Sequence, residues 1–247
     1  MPSGAAGPTD REALAWTPMR PFPGRRHVAV RDPILEPFWS GLRVIAHVSP
    51  AGAGERGAHV RMVEAGGADL APDLHTLAAD VAQSLGGAEA VVDGIITRQV
   101  ALEGIGVAAI PEVRMSASRL LLGSSAELDI LPRRRTRDVR ASAAGGVAGD
   151  ERETEAEGLV AVDLLRLDGT VLLDVPLLER KRLLESVLSQ TQLVRVSVHT
   201  RPPYEPWVAT WKALGLRGGI LKGANSRYQP GTRCLEWRVV EGMGRGR

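Results

Sequence analysis

Short runs that alternate apolar and polar residues, each bounded by turn residues, recur along this chain and limit what it can fold into. "LRVIAHV" (Leu42 to Val48) and "AHVRMVEAG" (Ala58 to Gly66) flank the turn-like "SPAGAGERG" and predict an antiparallel hairpin. "AEAVVDGIITRQVAL" reads as a buried strand, a turn at Asp93-Gly94 and a second strand. "GLVAVDLLRLDG" predicts a strand ending at Leu167 and turned by Asp168-Gly169. "LVRVSVHT" (Leu193 to Thr200), "GGILKG" and "LEWRVVEG" supply three more strands. Helical spacing appears in three places only. Leu74, Leu77, Val81 and Leu85 share one face and are closed by Gly86-Gly87. Pro176 opens a second helix, with Leu177, Leu184 and Leu188 inward and Glu179, Arg180 and Lys181 expected in water. "EPWVATWKALG" is the third, opened by Pro206 and closed by Gly215, with Trp207 and Trp211 on one core-facing side. Strands without regular strand-helix alternation imply an α+β fold, with antiparallel sheets flanked by helices.

The 247 residues suffice for a sizeable core. A net charge of +2 permits nucleic-acid contact without arguing for it. Only three lysines occur, Lys181, Lys212 and Lys222, which limits where a lysine nucleophile can be. Lys181 and Lys212 are expected on solvent-facing helix surfaces, leaving Lys222 as the lysine inside a cleft. The single Cys234 excludes an internal disulfide and a cysteine-rich zinc site. His27, His47, His59, His75 and His199 show no ligand spacing, so no metal site is predicted. His47 and His59 are expected to face each other across the first hairpin. No apolar run approaches the roughly 18 residues of a membrane span, and "MPSGAAGPTDREALAW" is not a signal peptide. The expectation is a cytoplasmic protein.

Residues 1–26 are rich in Pro, Gly and Arg and read as an irregular leader before a domain at 27–247. At about 131–158 the periodicity collapses, and "LPRRRTRDVRASAAGGVAGDERETEAEG" reads as a loop or disordered insertion. Its Arg133, Arg134 and Arg135 read first as a solvated charge run. Salt-dependent contact with a phosphate backbone is the alternative.

Three blocks in order carry a resemblance. They are "EPFWSGLR" with the hairpin, helix and "VVDGIIT" that follow; "GLVAVDLLRLDG…LLDVPLLERKRLLESVL"; and "GLRGGILKGANSRYQPGTRCLEW". The third is the most specific: Lys222 on a strand precedes Ser226, Tyr228, Pro230, Gly231 and Arg233 in an S-x-Y-x-P-G-x-R loop. From about Glu36 onward, the insertion apart, this chain resembles the adenylation domain of ATP-dependent DNA ligases. The resemblance implies nucleotidyl transfer. In that chemistry a lysine attacks the α-phosphate of ATP, carboxylates hold Mg2+ and cations neutralise phosphate.

Against that pattern, Phe38 stands where the nucleophilic lysine belongs and Ser40 where an Asp belongs. Ile95 replaces the Glu after Asp93-Gly94, and Arg217 replaces another Glu. Val162 stands in place of the adenine-stacking aromatic, and the terminal lysines are missing after Trp237. A phenyl ring has no lone pair to attack phosphorus. The resemblance therefore implies a degenerate adenylation domain with no catalytic lysine in its usual place and no OB-fold domain. Glu36, Arg43 and Lys222 are the candidate nucleotide-binding residues. Arg133, Arg134, Arg135 and Arg233 are the candidate DNA contacts. ATP and Mg2+ are implied by resemblance alone. Three functions stay open: an inactive accessory module for DNA or a repair protein, a ligase whose nucleophile has moved to Lys222, and a structural interaction domain.

Overall fold

A computed structural model describes residues 15–22, 29–50, 57–101, 119–121, 157–213, 216 and 218–240. Fifteen named elements appear in this order: β1 (Arg20–Pro21), β2 (Pro33–Pro37), β3 (Leu42–Pro50), β4 (Ala58–Glu64), α1 (His75–Ser84), β5 (Ala90–Ala101), β6 (Arg119–Leu121), β7 (Glu157–Leu167), β8 (Thr170–Val171), α2 (Leu177–Val187), β9 (Val194–Val196), α3 (Glu205–Ala213), β10 (Gly219–Gly223), β11 (Arg233–Cys234) and β12 (Trp237–Val240). The large sheet has the path β4-β3-β5-β7-β8, with β6 on β5 and β9 on β7. A small sheet runs β12-β10-β2, and β1 pairs with β11. Most pairs are antiparallel; β7 with β9 and β1 with β11 are parallel. The α+β expectation holds.

Alternation along β3 explains the layering. Leu42, Val44, Ala46 and Val48 pack against Leu77 and Val81 of α1, its caps Leu74 and Leu85, and Leu184 and Leu188 of α2 and its C-cap. On the other face of the large sheet, Ile45 of β3, Val91 of β5 and Leu165 of β7 pack against Tyr228 and Trp237. Helices α1 and α2 thus cover one face of the large sheet, and the small sheet and α3 lie on the other. Helix α2 spans the layers, because its Leu177 packs on Ile34 of the small sheet.

Several expectations change. Asp93-Gly94 is no turn: β5 runs unbroken from Ala90 to Ala101, and its register against β7 shifts between Asp93 and Gly94. Gly94 lies in a close strand approach, not a turn: a Cβ there would meet the Val160 carbonyl oxygen at 3.2 Å and Leu159 Cδ1 at 2.7 Å. "LVRVSVHT" forms a strand only over Val194–Val196. Arg180 and Lys181 are buried, not in water. His47 lies opposite Arg61 and His59 opposite Ser49, so the two histidines do not face each other. The stretch read as a leader is part of the domain over 15–22, where Trp16 and Met19 enter the core beside Tyr228 and Trp237. Most of the 131–158 stretch, including Arg133, Arg134 and Arg135, lies outside the described residues. So do Arg217 and the side chain of Lys212.

Candidate functional site

The loop "EPFWSGLR" joins the two sheets. Glu36 and Pro37 end β2, Phe38 to Gly41 cross over, and Leu42 begins β3. Gly41 is required by close approach, since a Cβ there would lie 2.2 Å from the Ile96 carbonyl oxygen of β5. The crossing is tied down by the Phe38 amide donating to Gly218 O (2.9 Å) and by Thr97 Oγ1 donating to Ser40 O (2.7 Å). Phe38 is half-buried, while Trp39 is buried and its Nε1 donates to Ser197 Oγ at 2.9 Å.

Glu36 is 1% exposed and holds two lysines at once. Its Oε1 lies 3.0 Å from Lys181 Nζ of α2 and 3.1 Å from Lys222 Nζ of β10. The two ammonium groups share this one carboxylate oxygen, and Ser197 Oγ donates to Oε2 at 3.2 Å. Burial alone would raise the Glu36 pKa. The two ammonium groups outweigh it and hold the carboxyl at about 2, against 4.5 ordinarily. Lys181 Nζ also donates to Val162 O at 3.0 Å. Lys222 Nζ lies 4.2 Å from the centroid of the Trp237 ring, a cation-π contact. Burial brings Lys222 down to about 8; Glu36 works the other way and Lys181 adds to the fall.

Two bidentate pairs continue the network on the large sheet. Arg43 Nε and Nη2 reach Asp93 Oδ1 and Oδ2 at 2.5 and 2.6 Å. Arg180 Nε and Nη2 reach Asp163 Oδ1 and Oδ2, both at 2.8 Å. Asp93 and Asp163 are direct register partners across β5 and β7, so two like charges face each other, and an arginine on each relieves the repulsion. Tyr228 O–H donates to Asp93 Oδ2 at 2.6 Å and accepts from the Met19 amide at 2.8 Å. Burial and the Asp93 charge push its pKa well up, so it stays a phenol. Arg180 Nη1 bonds Val175 O and Ser226 O, and Trp237 Nε1 donates to Ser226 Oγ.

Of the residues singled out in the sequence, Glu36 and Lys222 meet directly, and Arg43 joins the adjoining network. Arg233 is exposed on β11 and takes no part in it. Sequence reasoning missed Lys181, although the signal was there. Leu177, Lys181, Leu184 and Leu188 follow one helical face, and only the assumption that charge seeks water put Lys181 outside.

Where the ligase pattern has a carboxylate and an aromatic, Ile95 and Val162 pack with Leu35, Trp39, Val160, Val208, Trp211 and Leu216 in one apolar cluster. Among the described residues no three His, Cys, Asp or Glu side chains converge as metal ligands. Glu36, Asp93 and Asp163 are each neutralised by lysine or arginine, so this donor set does not fit a magnesium ion.

The description "ATP dependent DNA ligase domain" fits residues 125–238. Multifunctional non-homologous end joining protein LigD of Mycobacterium bovis is 37% identical over 86 residues, which is 35% of this chain and 11% of that protein. LigD of Mycobacterium tuberculosis matches to the same extent. The solved ligase domain of Mycobacterium tuberculosis LigD superposes with a TM-score of 0.60 at 23% identity, covering 92% of this chain and 61% of that one. A mycobacterial DNA ligase D complexed with ATP and MES gives 0.59 at 23% identity, covering 92% and 60%. Residues 125–238 thus match the ATP-dependent DNA ligase domain, and the fold is that of the solved LigD ligase domains. The chain spans about a tenth of the length of the curated relatives and three fifths of the solved ligase domain. Within this ligase-type domain, β2, β10 and β12 supply the small sheet, and the network of buried charges lies at its junction with the large one.

Proposed function

We propose that this ligase-type domain does not adenylylate itself and serves as a cytoplasmic binding module in DNA repair or end joining, contacting DNA or a repair protein. The observation that carries this reading is Phe38. Nucleotidyl transfer begins with an amine lone pair on phosphorus, and the residue at that point of the loop has none. The surroundings support it. Every carboxylate in the buried network is engaged by a cation, and Ile95 and Val162 lie in an apolar cluster where the ligase pattern has a carboxylate and an adenine-stacking aromatic. Glu36, Arg43 and Lys222 are the groups proposed to face any nucleotide retained. Arg43 would first have to leave Asp93. Arg133, Arg134, Arg135 and Arg233 are the proposed phosphate contacts.

A second reading, transfer of AMP to Lys222, is favoured by its pKa of about 8, which leaves part of the amine neutral near neutral pH. Against it, Lys222 is fully buried between Glu36 and the Trp237 ring. ATP labelled at the α-phosphate, with magnesium or manganese and followed by denaturing electrophoresis at alkaline pH, separates the two. Background labelling is the expected result. Protein-bound label that survives alkali, is released by acid as a phosphoramidate is, and vanishes in Lys222→Ala but persists in Lys181→Ala would overturn the proposal and move the nucleophile to Lys222.

A further inference from the structure

We draw no further inference here: the strongest candidate, the side-chain row of Arg61, His47 and Arg166 across β4, β3 and β7 of the large sheet, carries nothing because Asp69 and Glu89 already pair with the two arginines and nothing in the structure shows what would sit against the imidazole between them.

Discussion

Replacing Glu36 by glutamine isolates the charge that holds the two sheets and α2 together at the site. The side chain keeps its size, but Lys181 and Lys222 lose their shared counter-charge while remaining buried. The Glu36 carboxyl sits at about 2 instead of 4.5, and that difference corresponds to about 3 kcal/mol favouring the folded state at neutral pH. Breaking a buried ion pair by removing one partner typically costs about 3–5 kcal/mol, which agrees. The folded pKa is depressed, so the contribution is complete above pH 4.5 and falls as pH drops through 4.5 toward 2. By pH 3 about 2 of those 3 kcal/mol should be gone. Urea unfolding of wild type and Glu36→Gln at pH 7 and pH 3 reads this directly. The expected gap is about 3 kcal/mol at pH 7, narrowing to about 1 kcal/mol at pH 3. A gap below about 1 kcal/mol at pH 7, or one that does not narrow on acidification, would refute the reasoning.

Two further outcomes follow from neighbouring residues. Lys222 has a folded pKa of about 8 against 10.5 unfolded, so the unfolded chain binds its proton more tightly. Its contribution to stability must therefore rise between pH 8 and 10.5, by about 3 kcal/mol over the window, and denaturation curves of Lys222→Met should lack that rise. Tyr228→Phe removes the donor to Asp93 and leaves the buried Met19 amide without its acceptor, a loss of about 1–3 kcal/mol in chemical denaturation. An unchanged midpoint in Tyr228→Phe would mean that the phenol bridges nothing of consequence.

Local rules made much of the fold legible. The β3–β4 hairpin follows from two alternating runs around a glycine-rich turn, and α1 and α2 follow from leucines at helical spacing bounded by Gly86-Gly87 and Pro176. Asp93-Gly94 misled for a physical reason. The same dipeptide serves a turn or a strand pressed against its neighbour, and only the pairing with β7 distinguishes them. The site was half legible. The positions of Glu36 and Arg43 in "EPFWSGLR" and of Lys222 before its loop marked them out. Lys181 and Arg180 were lost because a charged pair on a helix reads as solvated until its partners are known.

The sequence by itself determined the period of each segment, the places where the chain must turn, and the absence of an amine at position 38, because these are properties of residues and their near neighbours. Tertiary structure alone decided that Glu36 would hold Lys181 from 145 positions away and Lys222 from 186, and that Asp93 and Asp163 would stand opposite each other, each with its own arginine. Buried charges are stable only beside their counter-charges. Which carboxylate meets which cation depends on how two sheets and a helix pack, and no local pattern carries that information.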